Sequence, residues 1–416
     1  MDYAAVPPGP QRNRLPERKH PEGRWSRLAL KCEPRSWAGR SWERTVPAET
    51  LTLEDLNRAT LARQMLLARE DVSPVAAVER LCGMQAQEPR PPFVGLWTRL
   101  ARFERGNLHQ ALHERTVVRG TLMRGTLHLM SASDYVAHRM TVQPVLNRGI
   151  GILGERAAGL EIEAVLPVAQ RLLSERPRTF TDLRAALVAQ FPDVDERALG
   201  FTARMLLPLL MLPTEDRWGF PADSRFGLAE EWLGAPLAGA GDAEALVLRY
   251  LAAFGPATVA DFQQWSGLQG MKPVLEALRP QLVVVRSDRK RELFDLPDAP
   301  RPAAETPAPV RLLPEFDNLL LSHADRTRVL PDAYRRLVLG AKNGRIPATF
   351  LVDGFVAGTW RAERKRGVAT LTLSPFAALA KGIARDLEQE GDALLRFLEP
   401  DAASLDVTVN PPVGAA

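Results

Sequence analysis

This chain of 416 residues lacks most of the features that would place it in a membrane, a disulfide framework or a metalloenzyme. Its longest apolar run, MLLPLLML at residues 205–212, is interrupted by Pro208 and falls far short of the roughly 20 residues needed to span a bilayer. The opening MDYAAVPPGPQRNRLPERKHPEGR is polar and proline-rich, without the apolar core of a secretory signal. Two cysteines, Cys32 and Cys82, cannot make a disulfide scaffold, so a reducing cytoplasm is the expected setting. Six histidines are scattered; His109 and His113 stand at i,i+4, but no carboxylate falls where a third ligand belongs. Neither a metal nor any other cofactor is expected. The phosphate-binding loop, the dinucleotide fingerprint, the H-E-x-x-H zinc motif and the G-x-S-x-G elbow are all missing.

What is present is ordinary for a globular protein, with 45% apolar and 25% charged residues. The formal charge of +4 is unevenly placed. Residues 1–49 hold ten Lys/Arg against six Asp/Glu together with seven prolines, and residues 50–416 hold 44 of each sign. The first 49 residues therefore read as a disordered basic tail, either a source of non-specific nucleic-acid affinity or a plain extension. Basic surface on the body has to come from local clustering.

From about Leu51 the pattern turns helical. Leu61, Met65 and Ala68 share a face, Ser73 and Pro74 open a second helix, and ERGNLHQALHERT makes another. VVRGTLMRGTLHLMS, with Gly120 and Gly125, reads as a hairpin. Helices followed by a hairpin make a winged-helix unit, and the order recurs. Helices at about 161–174, 180–190 and 195–212 precede a plausible hairpin in RWGFPADSRFGLAEEWLG. The segment from GDAEALVLRYLAAFGPATVADFQQWSGL to RSDRKRELFDL repeats the order with a helix-turn-helix look. The expected fold is α+β, mostly α: a tail at 1–49, winged-helix units at 50–150, 151–237 and 238–298, a Pro/Ala linker at 299–310, and a small β-barrel-like domain at 311–416.

Gln85 and Gln87, in LCGMQAQEPRPP, are hard to place. If the helix that starts at Pro74 continues, Val75, Val78, Cys82 and Gln85 run i, i+3, i+7, i+10, and Gln85 extends its buried face. An unsatisfied amide there costs roughly 1–3 kcal/mol. Pro89 pushes Glu88 toward extended backbone. If the chain has left the helix by Ala86, a period of two puts both amides on one side. The pair then reads either as helix-end structure or as two amides aimed into one cavity.

LNRATLARQMLLARE, SPVAAVERLCGMQAQEPRPPFVGLWTRL, LMRGTLHLM, YLAAFGPATVADFQQWSGL and LLPEFDNLLLSHADRTR together resemble the bacterial winged-helix DNA-binding proteins of the AlkZ-like family. The resemblance implies the activity of the family's characterised members, DNA glycosylases that unhook interstrand crosslinks, while many members are known only as DNA-binding proteins. The resemblance runs from about Leu51 to Leu398. It implies three tandem winged helices in a C-shaped arrangement and a C-terminal β-barrel. It also implies that the family's catalytic glutamine–aliphatic–glutamine motif falls on Gln85, Ala86 and Gln87, and that a sister group has aspartate at the second amide. The chemistry is consistent with neutral amides. An N7-alkylated purine is already cationic and leaves without protonation, so orienting the water suffices where other glycosidic cleavages need a carboxylate.

Double-stranded DNA, damaged by that reading, is the expected partner. Contacts are expected from hairpin tips: Arg289, Lys290 and Arg291; Arg364, Lys365 and Arg366; and Arg119 and Arg124 beside flexible glycines. His128 reads as a satisfied strand histidine, or, through the resemblance, as a residue near the DNA. Glu315, Asp317, His323 and Asp325 form an acidic cluster suited to holding a strand–turn junction or pairing with Arg326. The outcome is a cytoplasmic, nucleoid-associated, monomeric glycosylase acting on N7-alkylguanine lesions or interstrand crosslinks. The rival is a non-catalytic winged-helix protein such as a regulator. Regulators of this type are usually dimeric, and no coiled-coil heptads occur here.

Overall fold

A capping box starts the first helix, Leu53–Arg63: the Asp55 backbone N–H donates to the Thr52 hydroxyl, and the Thr52 N–H donates back to the Asp55 carboxylate. The computed structural model describes residues 50–414 apart from 240, 342 and 343, so the tail expected at 1–49 lies outside the described residues. The second helix, Pro74–Arg80, opens as its sequence implies, with the Ser73 hydroxyl accepting from Ala76 N–H. It does not continue to Gln85. Cys82 (φ +52°) and Gly83 (φ +82°) turn the chain through left-handed backbone, and Gly83 N–H closes on Val78 O at 3.0 Å. Met84–Gln85 is instead a short strand, and the helical register expected for Gln85 is replaced by the strand alternative.

Helices Arg90–Arg99 and Arg105–His113 lead into a hairpin of Val117–Thr121 and Leu127–Ser131. A second group has helices Ile162–Glu175, Phe180–Val188 and Glu196–Leu206. Its last helix stops six residues short of the expected end at 212. Pro208 has no N–H to continue the ladder, and Leu209–Met211 becomes a strand that pairs with Arg225–Leu228. The second hairpin therefore starts earlier in the chain than RWGFPADSRFGL. A third group has helices Ala243–Phe254, Val259–Ser266 and Lys272–Leu278 before the hairpin Val283–Ser287 and Glu292–Asp295.

The first two hairpins are not independent. Arg119 and Gly120 pair with Met211 and Leu210, joining both into one sheet of six strands. Its order is Met84–Gln85, Leu127–Ser131, Val117–Thr121, Leu209–Met211, Arg225–Leu228, Arg178–Thr179, so Met84–Gln85 lies at an edge. The third hairpin gains a different neighbour, Thr50–Leu51, which pairs parallel with Arg286 and Ser287.

The C-terminal region is a five-stranded sheet in the order Arg311–Leu313, Thr349–Val352, Phe355–Lys365, Val368–Pro375, Ser404–Val409. Among the described residues its two outer strands do not pair, so the expected barrel is an open sheet. The helix Lys381–Leu398 crosses between its last two strands, which are therefore parallel. Leu387, Leu394, Leu395 and Leu398 of that helix pack with Trp360, Leu371 and Leu373. A helix covering one face buries the apolar side without closure of the sheet.

Candidate active site

Gln85 sits on the edge strand opposite His128, and Met84 sits opposite Leu129. Directly paired residues of an antiparallel ladder share a face. Met84, Ala86, Leu127 and Leu129 point into the hydrophobic core, so Gln85 and His128 occupy the other side. Backbone alternation sends the Ala86 N–H to Leu127 O at 2.7 Å and the Gln85 N–H away from the sheet. At this edge the Gln85 N–H donates to Asn318 Oδ1 at 3.2 Å, while Asn318 Nδ2 donates to Gly83 O at 2.5 Å. One side-chain amide thus supplies the donor and acceptor that a further strand would otherwise provide.

Asn318 is itself held in place. The preceding residue, Asp317, forms a bidentate ion pair with Arg99 at 2.8 and 2.9 Å, both groups being buried. Arg99 further donates to Gln64 O and Gly95 O, each at 3.0 Å. A buried charge pair is tolerable only when its remaining hydrogen bonds are made, and here they are. The chain of contacts runs from helix Arg90–Arg99 through Asp317 and Asn318 to the strand that carries Gln85.

Gln85 is 8% exposed, and its Oε1 accepts from Arg124 Nη2 at 2.8 Å. A guanidinium can only donate, so this contact determines which end of the amide is oxygen and leaves Nε2 on the other side. Arg124, in left-handed backbone (φ +57°), also donates to Trp265 O on helix Val259–Ser266. Gln87 is exposed; the Leu127 N–H donates to its Oε1 at 3.4 Å, a long contact. Behind the pair, buried Arg119 donates through Nε to Ala86 O at 2.9 Å and through Nη2 to Gln87 O at 3.1 Å, and lies over Phe220. Burial brings both Arg119 and Arg124 down to about 10, with Arg326 contributing at Arg124, and both remain cations at neutral pH. His128 is 1% exposed; burial, with Arg124 nearby, pushes it down to about 3 despite its bond to Thr126 O, so the imidazole is neutral.

The residues expected at the DNA are thus divided. Arg119, expected at the DNA, is buried behind the glutamines; His128, read either as a satisfied strand histidine or as a residue near the DNA, is buried opposite Gln85 with Nδ1 against Thr126 O; and Arg124 bridges Gln85 to another helical group. Arg289, Lys290 and Arg291 lie exposed at the tip of the third hairpin, with Arg289 and Arg291 both paired to Asp325. Arg364, Lys365 and Arg366 are also exposed, with Arg364 near Glu399 and Lys365 paired to Glu363 at 2.9 Å. Of the acidic cluster, Asp317 pairs with Arg99, Glu315 with Arg345 and Asp325 with the hairpin arginines. The Arg326 pairing considered from the sequence is not among these contacts. His323 is buried, with Nε2 against Phe254 O and Nδ1 against Ser322 Oγ. Asn318 escaped the sequence reading. Its one signal was its place directly after Asp317 in a segment already marked as a strand–turn junction.

A family model described as "DNA glycosylase AlkZ-like" matches residues 78–397. The interstrand DNA cross-link repair glycosylase of Streptomyces sahachiroi is 25% identical over 358 residues, covering 81% of this chain and 94% of that protein. A solved structure, the Streptomyces sahachiroi DNA glycosylase AlkZ, matches with a TM-score of 0.70 at 22% identity, covering 87% of this chain and 100% of that one.

Proposed function

Since the chain belongs to the AlkZ-like DNA glycosylase family, we propose that it hydrolyses the N-glycosyl bond of N7-alkylguanine in duplex DNA, interstrand crosslinks included, with Gln85 and Gln87 placing the water. Family membership favours the enzyme over the regulator. The observation that carries the site is the bond from Arg124 to Gln85 Oε1. An amide free to flip presents donor and acceptor at random; this one is set, with its –NH₂ available to a water or to the sugar.

The bond to be cut joins C1′ to a ring that already bears positive charge, so the leaving group needs no proton. The residues gathered here match that requirement: two amides, a neutral imidazole and two guanidiniums. General-base assistance, worth roughly 10²–10⁴-fold elsewhere, is least needed for such a leaving group. Neutral amides also avoid binding the cationic lesion strongly in its ground state, which would lower KM without raising kcat.

We read the three groups of helices with hairpins as tandem winged-helix units, and the exposed cations of the third hairpin and of the C-terminal sheet as phosphate contacts. The protein would act as a monomer on nucleoid DNA in the cytoplasm; among the described residues no helix is long and apolar enough to cross a membrane. The test is single-turnover excision from one duplex carrying N7-methylguanine, with wild type, Gln85→Ala, Gln87→Ala and Gln87→Asp. Each alanine should slow base release roughly 10–1000-fold, the range for one positioning hydrogen bond, while binding to undamaged duplex persists. Gln87→Asp should stay active and leave uracil untouched. No release by wild type above the spontaneous rate, on this or a bulkier N7 adduct, removes the glycosylase reading.

A further inference from the structure

Building on that reading, we propose that His128 is a catalytic residue: its Nε2 accepts the hydrogen bond of the water that Gln85 holds, and takes that water's proton as the C1′–O bond forms. Gln85 and His128 face each other across the ladder on the same side of the sheet, so one water can meet both side chains. Nδ1 of His128 lies 3.0 Å from Thr126 O. A carbonyl can only accept, so Nδ1 carries the proton and Nε2 presents a lone pair. No hydrogen-bond partner occupies Nε2 among the described residues.

The other groups at the site cannot fill this role as well. Gln85 Oε1 already accepts from Arg124 and Gln87 Oε1 lies 3.4 Å from the Leu127 N–H; each keeps a second lone pair for a hydrogen bond, but a neutral amide oxygen is a far weaker base than an imidazole and does not take a proton. The Gln85 –NH₂ can hold the water oxygen, but neither amide gives the water's protons a basic acceptor. Arg119 and Arg124 have no lone pair. Burial and the Arg124 charge keep the imidazole neutral, so Nε2 is available as an acceptor throughout the neutral pH range.

The step balances without a co-reactant. The C1′–N9 pair moves onto the base and cancels its positive charge. A water lone pair forms C1′–O, and the resulting oxonium gives one proton to Nε2, which returns it to bulk solvent. A buried imidazole is a weak base, but an oxonium on C1′ is so acidic that a weak base suffices. This also accounts for a site without a carboxylate at the water.

The experiment is single-turnover excision from the N7-methylguanine duplex by wild type, His128→Phe, His128→Gln and His128→Ala, with duplex affinity and urea midpoint measured in parallel. His128→Phe keeps the ring's bulk and loses the acceptor; it should slow release about 10–100-fold, at or below the low end of general-base effects because the imidazole is a weak base, with duplex affinity unchanged. His128→Gln, which retains an acceptor, should recover part of the rate, and added imidazole should accelerate His128→Ala, a rescue that a merely structural role would not give. If wild type releases base and His128→Phe matches it, the proposal is overturned and the glycosylase reading stands. If His128→Phe fails to fold, absence of imidazole rescue in His128→Ala overturns it. No release by wild type removes the underlying reading first.

Discussion

At the scale of single residues, two asparagine contacts and one arginine decide what Gln85 can do. Asn318→Ala removes both edge bonds, to Gln85 N–H and Gly83 O, leaving buried groups unpaired at roughly 1–3 kcal/mol. The expected outcome is a lower urea midpoint and slower excision with duplex affinity retained; unchanged excision would separate the edge clamp from the motif. Three imidazoles, His128, His138 and His323, are buried and held down by burial, and the two pushed furthest dominate the response to acid. His128 is pushed down to about 3 chiefly by burial, and His323 is held equally low by burial and Arg328. Below about 6.5 the unfolded chain protonates both while the folded protein does not, so the unfolded state binds more protons. Stability should fall as pH drops from about 6.5 toward 3, by up to about 1.4 kcal/mol per pH unit for each histidine. Urea titrations from about pH 7.5 to about pH 4.5 at the same ionic strength should show it, since that interval enters the window from its upper edge, and His128→Gln should flatten the slope.

At the scale of elements, the hairpin tips are less free than their charge suggests. Three cations meeting three phosphates would flatten log K against log salt by up to about three units when removed. Arg364 and Lys365 already have acidic neighbours, so the Arg364, Lys365 and Arg366 triple alanine variant should lose less than that. An unchanged slope would leave this tip merely solvated. The third hairpin gives the converse test. Asp325 holds Arg289 and Arg291, so Asp325→Asn should release two cations, raise affinity for any duplex and steepen the salt dependence. The seam between the first two hairpins depends on Gly120, where a Cβ would lie 2.9 Å from the Tyr135 ring and 3.0 Å from Leu209 O. Gly120→Ala should therefore pry at the shared sheet, costing roughly 1–3 kcal/mol in urea unfolding.

At the scale of the whole molecule, the helical groups are tied by buried contacts that cross between them. Arg63 of the first helix pairs with Asp295 of the third hairpin at 2.7 Å, both groups fully buried. Arg124 reaches Trp265, and one six-stranded sheet holds two hairpins. Elements that share a sheet and buried charges lose those contacts together. Unfolding of the body should appear as one transition, coincident by fluorescence and far-UV circular dichroism; resolved transitions would show groups that fold alone. Arg63→Met leaves Asp295 with Arg301 as its one ion-pair partner among the described residues, and should lower the midpoint of that whole transition, since breaking a buried pair costs roughly 3–5 kcal/mol.

Much of this was local enough to read from the chain. Ser73 with Pro74, and VVRGTLMRGTLHLMS with Gly120 and Gly125, announced their elements because capping and turn residues act within a few residues. The motif itself was visible, and the period-of-two alternative for Gln85 and Gln87 followed from Pro89. The tertiary structure decided what no short window contains. It stopped the Pro74 helix at Arg80, where Gly83 turns back on Val78. It fused two hairpins through Gly120 and Leu210, and left the C-terminal sheet open beneath a helix. It also turned Arg119 and His128 inward and brought Asn318 to Gln85 across 233 residues of chain. Strand pairing and buried hydrogen bonds depend on which surfaces meet, and that choice is made by the whole core rather than by neighbours in sequence.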